Sequence, residues 1–257
     1  MKLKHIIKHF EQTLRKVLPT PTPFTPERFV LIGLGGIGSN LVTNLARFST
    51  YRRPPLPIVL IDGKSFRIGN QIRQHYYREG TNKAISAAED LQRIFPDLDI
   101  RIHEAFITSS NASLFIKERD IVLSCLDNHS SRRDVSHRIE VLKNGILISG
   151  GNELVDGNVQ IHIRNCYRDL TPPITYFHPE IAEPTDRNPA DIGCNERVES
   201  TPQLLPTNAL VASLMLAALS CTLNWSTGKS GLPAFDEQYF DIPSGNVKSY
   251  KRRTERK

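Results

Sequence analysis

The sequence contains few cysteines, and none of them forms a Cys-x-x-Cys pair. The four cysteines are scattered over 257 residues, at positions Cys125, Cys166, Cys194 and Cys221. Structural zinc sites are commonly built from such pairs, and disulfide scaffolds are typical of secreted proteins. The pattern therefore predicts a reduced, cytoplasmic setting without structural zinc.

A signal-peptide pattern and a long apolar run are also missing. The first ten residues, MKLKHIIKHF, are too polar for a secretory signal. The longest apolar run, 209–223, contains Ser213, Ser220 and Thr222 and is short for a bilayer. We therefore expect no membrane partner and interpret the run as a buried helix.

Charge of one sign is concentrated at one end of the chain. The net charge is +6, but the last seven residues, KRRTERK, carry five basic residues and one acid. Without them the net charge is about +2. The expected interpretation of 251–257 is a solvated basic tail, and a nucleic-acid partner is not expected. Contact of the tail with RNA or an acidic partner stays open.

The first part of the chain has two patterns that follow each other. Apolar residues at helical spacing over 1–18 predict a basic helix, and PTPTPFTP, from residue 19 to 26, predicts an extended linker. From residue 28 onward strand and helix patterns alternate. Strands are predicted near 29–32, 57–62, 99–104, 120–125 and 145–149, and helices near 37–48, 82–95, 111–118 and 130–143. This alternation predicts an α/β fold with a Rossmann-like, mostly parallel sheet and flanking helices.

After residue 150 the pattern changes, so we divide the domain of 28–250 into a nucleotide-binding half, 28–150, and a second half, 151–250. Val159 to Ile163 alternates like an antiparallel strand, which predicts an antiparallel extension of the sheet. A Pro-, Asp- and Asn-rich stretch over 168–206 has no periodicity, and such long loops are usually functional or mobile. An apolar helix over 207–223 and a hairpin near 235–250 follow.

A glycine-rich turn joins the first predicted strand to the first helix. It contains four glycines and a serine: Gly33, Gly35, Gly36, Gly38 and Ser39. Glycines let the backbone approach phosphate oxygens, and the helix N-terminus supplies N–H donors. Asp62 ends the second strand, where a ribose-binding acid belongs. The turn predicts nucleotide binding, but it does not separate NAD from ATP.

The residues after Asp62 favour ATP. They include Asn70, Arg73 and Gln74, and Lys83 follows at the start of a predicted helix. A dehydrogenase has no need for an arginine at the phosphate end of its nucleotide. An enzyme that splits ATP between its α- and β-phosphates must neutralise a departing pyrophosphate, which arginine and lysine do.

Asp127 and Asn128 follow the fourth predicted strand. The carboxyl ends of parallel strands face the ligand crevice, so Asp127 is placed to hold Mg²⁺ on the phosphates. Asn128 is a further candidate for the nucleotide site. The alternative is that this pair caps the helix that starts near Ser130.

In this order the motifs resemble those of the ThiF/MoeB/HesA superfamily, the adenylating enzymes that include the ubiquitin-activating enzymes. The resemblance covers about residues 28–165, and the long loop is most similar to that of divergent bacterial ThiF-family proteins. It implies that the glycine turn and Asp62 bind ATP, and that Asp127 binds Mg²⁺. It also implies that four side chains surround the phosphates: Asn70, Arg73, Gln74 and Lys83.

The same resemblance implies a function and partners. Members adenylate the C-terminal carboxylate of a small ubiquitin-like β-grasp protein, and a homodimer and a conjugating-enzyme-like acceptor are expected. In ubiquitin-activating members a loop cysteine takes over the acyl group as a thioester. Cys194 lies in the long loop upstream of the apolar helix and is the candidate for this role.

The chain also departs from the family pattern. The loop between Arg73 and Lys83 is short, and the N-terminal segment whose arginine reaches the partner subunit's site is replaced by the basic helix and linker. Arg15 or Arg28 is the candidate replacement. Three alternatives stay open: a relative that activates a carboxylate on modified tRNA, an NAD-dependent oxidoreductase, and a non-catalytic nucleotide-binding subunit.

Overall fold

The computed structural model describes residues 24–76, 78–191 and 203–252. Several predicted features lie outside the described residues: the N-terminal helix, most of its linker, Arg15, Cys194 and residues 253–257 of the tail.

The described strands form one sheet in the order β3-β2-β1-β4-β5-β6-β8-β9, with β7 paired to β6. Their bounds are β1 (Arg28–Ile32), β2 (Ile58–Ile61), β3 (Ile100–His103), β4 (Asp120–Ser124), β5 (Gly145–Asn152), β6 (Asp156–Asn165), β7 (Arg168–Asp169), β8 (Glu237–Asp241) and β9 (Asn246–Tyr250). The first five strands are parallel, and β6 to β9 extend the sheet with antiparallel pairs. The predicted fold class is confirmed.

Helices cover both faces of the parallel strands. Their bounds are α1 (Gly36–Thr50), α2 (Lys83–Ile94), α3 (Ala112–Phe115), α4 (His129–Glu140), α5 (Pro179–Ala182) and α6 (Leu205–Ser226). The helices α1, α2 and α6 share one apolar core with the sheet, and α3, α4 and α5 share the other. Burial on both faces explains why β2 reads as the continuous apolar run IVLI.

The strand order creates the crevice that holds the site. The strands β2 and β3 lie on one side of β1, and β4 and β5 lie on the other. The loops that follow β1 and β4 therefore diverge at the carboxyl edge of the sheet, which is the usual ligand position in open α/β sheets. The glycine turn follows β1, and Asp127 follows β4.

Several elements differ in length from their predicted ranges, and two of the helices show different reasons. The helix predicted over 111–118 is confined to Ala112–Phe115, because Ile116 is extended and the Lys117 N–H donates to the Asp120 carboxylate at 2.7 Å. The helix predicted over 207–223 extends to Leu205–Ser226, with a proline in its first turn, where no intrahelical N–H is needed.

The helix α6 packs one face against α1, β5 and β6. Among the described residues it is long and apolar enough to cross a bilayer by length and composition alone, a test that core helices also pass. Its buried face includes Val211, Met215 and Leu219, whereas Ala217 and Cys221 are exposed. This packing is that of a core helix with one uncovered side.

The first two residues of the predicted basic tail are bound to the sheet. Lys251 Nζ lies 3.4 Å from Asp236, and Arg252 Nε donates to Glu237 at 2.7 Å. The Arg252 guanidinium also lies over the rings of Phe177 and Tyr250, 5.3 and 5.0 Å from their centroids.

Candidate active site

The glycine turn between β1 and α1 has positions at which a side chain would meet the backbone. Gly33 has a φ of +85°, and a Cβ there would lie 2.8 Å from the carbonyl oxygen of Cys125. A Cβ on Gly38 would lie 2.0 Å from the carbonyl oxygen of Gly33. A Cβ on Gly35, in contrast, would meet nothing within 4 Å. Gly35 therefore borders the open space into which a ligand can enter.

The helix that starts at this turn has an uncapped N-terminus. Gly35 has no side chain to cap α1, and the first turn contains no acidic residue. The Ser39 hydroxyl is buried and donates to the Gly36 carbonyl oxygen at 3.2 Å. The first N–H groups of α1 are therefore free of side-chain caps, and together with the positive end of the helix dipole they can bind an anion.

Asp62, directly after β2, is tied to this turn. Its Oδ2 accepts from the Leu34 N–H at 2.6 Å, and its Oδ1 accepts from the Lys64 N–H at 2.7 Å. The side chain is 8% exposed. A carboxylate offers about four acceptor positions, so the two bonds leave acceptors for a ribose hydroxyl.

Arg73 lies after a 3-10 turn over Ile68–Asn70. One of its guanidinium nitrogens donates to Asn70 Oδ1 at 2.9 Å, and another donates to Gln203. Burial lowers the pKa of Arg73, and Asp127 opposes this shift, but a guanidinium stays charged in either case. The neighbouring Gln74 side chain is buried, and its Oε1 has no hydrogen-bond partner among the described residues.

Lys83 begins α2 and points its charge into the same region. It is 5% exposed. Burial lowers the pKa of Lys83, whereas Asp62 and Asp127 raise it and Lys64 and Arg73 lower it. One buried ammonium thus interacts with two carboxylates and two further cations. The helix itself is capped by Asn82, whose oxygen accepts from the Ala84 N–H at 2.8 Å.

Asp127 is the exposed acid of the group. Its side chain is 55% exposed, and one oxygen lies 3.8 Å from Lys64 Nζ. A single accessible carboxylate fits Mg²⁺, which is usually bound through one or two carboxylates together with substrate phosphates and water. Lys64 is missing from the sequence-based candidates. Its position two residues after Asp62, beyond the carboxyl end of β2, is the signal that could have identified it.

Asn128 has the geometry of a helix cap. Its Oδ1 accepts from the Ser131 N–H at 2.8 Å at the start of α4. The capping alternative raised by the sequence is therefore present, and a direct contact of Asn128 with nucleotide stays a prediction. Asp186 adds to this end of the helix, because its carboxylate accepts from the N–H groups of His129 and Ser130 at 2.6 and 2.9 Å.

Two other arginines have structural contacts. Arg132 is buried and donates to the carbonyl oxygens of Leu126 and Gly150, which joins the ends of β4 and β5. Arg28 donates to both oxygens of Asp120 at 2.7 and 2.9 Å, at the amino edge of β1 and β4. This pairing disfavours Arg28 as the arginine that reaches a partner's site.

The arrangement therefore gathers two carboxylates and three cations around an open space at a helix N-terminus. The segments after β2 and β4 bring together five charged residues: Asp62, Lys64, Arg73, Lys83 and Asp127. Such a site can hold a nucleotide by its ribose and neutralise its phosphates.

Comparison with known families agrees with this geometry. The sequence profile of the ThiF family matches residues 25–256, which is nearly all of the described part of the chain.

Curated relatives match a little more than half of the chain. The SUMO-activating enzyme subunit uba-2 of Caenorhabditis elegans is 28% identical over 154 residues, which are 57% of this chain and 25% of that protein. The adenylyltransferase and sulfurtransferase MOCS3 of Drosophila yakuba is 31% identical over 149 residues, 56% of this chain and 32% of that protein. The chain thus spans about a quarter to a third of the length of these relatives.

Solved structures are similar in fold. Escherichia coli MccB, crystallised with AMPCPP and MccA, superposes with a TM-score of 0.62 at 16% identity, covering 88% of this chain and 63% of MccB. PaaA superposes with a TM-score of 0.60 at 13% identity, covering 98% of this chain and 74% of PaaA.

Proposed function

The chain belongs to the ThiF family, and we propose that it is an ATP-dependent adenylyltransferase that activates the C-terminal carboxylate of a small ubiquitin-like protein. The observation that carries the proposal is the pair of cations Arg73 and Lys83 near Asp127 and Asp62, the second of which is bonded to the glycine turn that leads into the uncapped α1. A redox enzyme that binds NAD faces only a pyrophosphate that stays in place, which needs less positive charge than these cations supply. Pyrophosphate departure from ATP requires this charge.

The proposed reaction begins with repulsion between two anions, the carboxylate and ATP. Arg73, Lys83 and Lys64 reduce this repulsion, and Asp127 is the residue that would hold Mg²⁺ on the phosphates. A carboxylate oxygen then attacks the α-phosphorus, the bond from that phosphorus to the α–β bridging oxygen breaks, and pyrophosphate leaves with the bond's electron pair. Binding both reactants in one crevice supplies the orientation.

The relatives support a protein or peptide substrate. They include a SUMO-activating enzyme subunit, and the MccB structures hold MccA. The choice of a ubiquitin-like protein over a shorter peptide is our proposal. A conjugating-enzyme-like acceptor is proposed on the same basis.

The adenylation proposal is tested by ATP–pyrophosphate exchange with purified chain and a β-grasp protein encoded beside it. We expect labelled pyrophosphate to enter ATP only when the partner is present. A partner that lacks its last two residues is the matched control, because it keeps the β-grasp fold and loses the native C-terminus whose carboxylate reacts. Absence of exchange with every neighbouring β-grasp protein, together with tight NAD binding, would overturn the proposal.

We further propose that Cys194 accepts the acyl group. The thiolate would attack the acyl carbon of the adenylate, and AMP would leave. Other cysteines fit poorly: burial raises the pKa of Cys125, and Cys166 follows β6 at the amino edge of the sheet. Cys221 is thirteen residues beyond Asn208 on α6, hence about 20 Å away from the glycine turn.

The thioester is tested on a non-reducing gel after incubation with ATP and partner. We expect a thiol-sensitive adduct that is absent in Cys194→Ala, while pyrophosphate exchange persists. Cys221→Ala is the matched control and should keep the adduct. An adduct that survives Cys194→Ala would contradict the assignment.

A homodimer is proposed as the assembly. Beside the exposed Ala217 and Cys221, α6 carries Leu210, Leu214 and Leu216, which are only partly buried. A second copy would cover this face. Sedimentation velocity should give the mass of a dimer, and a monomer at micromolar concentration would rule it out.

A further inference from the structure

Asn208 is a completely buried polar residue near the start of α6. Its exposed fraction is 0%, and neither Oδ1 nor Nδ2 has a hydrogen-bond partner among the described residues. The residues that follow on the same face, Val211, Ala212 and Met215, are apolar. A buried amide without hydrogen-bond partners lowers the stability of the fold. An apolar side chain of similar shape would not, so the presence of an amide at this position requires an explanation.

The amide lies against the glycine turn. A Cβ on Gly36 would be 2.5 Å from both Nδ2 and Oδ1 of Asn208. The turn and the amide therefore fit together only because residue 36 has no side chain. Since Gly36 is the first residue of α1, the side chain of Asn208 meets the first turn of that helix, directly beside Gly35 and its open space.

The ends of two helices meet at this amide. The helix α1 has no side-chain cap at Gly35, and α6 has none at Leu204; neither helix carries an acid in its first turn. Both N-termini contribute partial positive charge and unpaired N–H groups. An uncapped pair of N-termini with an unpartnered amide between them favours an anion.

We propose that Asn208 is a positioning residue for the phosphate turn. Its amide packs from α6 against the first turn of α1 at Gly36, and it gains hydrogen bonds when a phosphate group of the nucleotide occupies the turn. Asn208 should therefore contribute to the binding of a nucleoside phosphate and not to the binding of a nucleoside. This inference rests on the proposed nucleotide site and adds to it a residue from the second half of the domain.

The test compares two ligands on one variant. In Asn208→Leu the branching of the side chain is kept and the amide is removed. Calorimetric titration should show ATP–Mg²⁺ binding about tenfold to a hundredfold more weakly, the range for a lost hydrogen bond to a charged group, with adenosine affinity unchanged. The melting temperature without ligand should be equal to or higher than that of the wild type, because an unpaired amide has been removed.

Two further variants make the result specific. Thr222→Val is the matched control, since Thr222 is fully buried on the same helix and donates only to its own Ala218 carbonyl oxygen at 2.8 Å. It should leave both affinities unchanged. Asn208→Ser keeps a small polar group and should recover part of the ATP affinity. If Asn208→Leu does not fold, Asn208→Ser must still show a loss for ATP and none for adenosine.

Equal ATP affinity in wild type and Asn208→Leu overturns this inference and leaves the proposed function standing. Equal losses for ATP and adenosine also overturn it, because they indicate packing alone. Absence of ATP binding by the wild type overturns the proposed function and this inference with it.

Discussion

At the carboxyl edge of the parallel strands, charged side chains lie near one another but are weakly paired, whereas beyond β6 they are closely paired. Lys64 and Asp127 are 3.8 Å apart and both about half exposed. In the antiparallel part, His178 contacts Glu180 and Glu237 at 2.9 and 2.7 Å, and Arg252 contacts Glu237 at 2.7 Å. The first arrangement keeps charge available for a ligand, and the second uses it within the fold.

Buried polar atoms without hydrogen-bond partners occur in both regions: Gln160 Oε1 and His162 Nδ1 of β6 lack partners among the described residues, as do amide atoms beside the glycine turn. Gln74 and Asn208 carry amide atoms without partners, although an unpaired buried amide costs stability. In the antiparallel part the His178 ring is held on both of its nitrogens. Substitutions in the first region should therefore change function more than stability, and substitutions in the second region should do the reverse.

The largest expected effect is on Arg73. Arg73→Ala should lower the rate of ATP–pyrophosphate exchange by several hundred-fold, since loss of one charge-stabilising donor costs about 3–4 kcal/mol. Arg78→Ala is the matched control, because Arg78 is exposed and pairs with Glu89 at the surface. It should retain nearly full activity. A similar exchange rate in both variants would show that the phosphates of ATP do not bind at Arg73.

A second test separates two glycines of one turn. In Gly38→Ala the Cβ would press on the Gly33 carbonyl oxygen at 2.0 Å, so we expect a loss of about 3 kcal/mol in unfolding free energy as well as weaker ATP binding. In Gly35→Ala the Cβ enters open space, so the loss should be confined to ATP binding. Urea unfolding and calorimetric titration of both variants would measure this, and equal destabilisation would argue against the open space at Gly35.

The smallest effect is expected in the antiparallel part, at His178. Burial disfavours the charged ring, but the carboxylates of Glu237 and Glu180 outweigh it and raise the pKa of His178. His178→Gln should lower stability by about 1.5 kcal/mol, the lower end for a hydrogen bond to a charged group, because Glu180 is half exposed. Pyrophosphate exchange should remain unchanged.

The pH dependence of that loss follows from the direction of the shifts. The pKa of the His178 ring is higher in the folded than in the unfolded state. Protonation of the ring therefore contributes its full stabilisation below the unfolded pKa of about 6.5, and this contribution is lost as pH rises through the folded pKa. Burial raises the pKa values of Glu180 and Glu237, but the contact with His178 outweighs it and lowers them. The stabilisation from the two carboxylates is therefore lost as pH falls through their folded-state pKa values. The melting-temperature difference should be largest near pH 5–6. A difference that grows above pH 8, or that His137→Gln at the surface reproduces, would contradict this assignment.

The elements were predictable where the pattern is local. The strand of Arg28–Ile32, the glycine turn and the acid after β2 follow from adjacent residues, and these predictions agree with the structure. The short helix Ala112–Phe115 was predicted too long, because its end depends on the Asp120 side chain, which also binds Arg28.

The site was predictable only in part, because several of its contacts join residues far apart in the chain. Arg73 and Lys83 were identified by their order after Asp62. The contact of Gln203 with Arg73 and that of Asn208 with Gly36 were not, since no spacing rule links a residue of the last helix region to the first turns. Asn208 in particular lies in an apolar helix, where periodicity indicates core and gives no sign of a polar contact.

The position of α6 also affects how the chain folds during synthesis. The strands β1 to β5 and α1 leave the ribosome long before Leu205–Ser226, yet α6 covers the sheet face beside α1. Until α6 has emerged, the apolar face of the sheet beside α1 is not covered by it, and non-local packing of this kind forms slowly. We expect nascent chains that end at residue 204 to be degraded in pulse proteolysis and bound by chaperones, whereas chains that extend past residue 226 should resist.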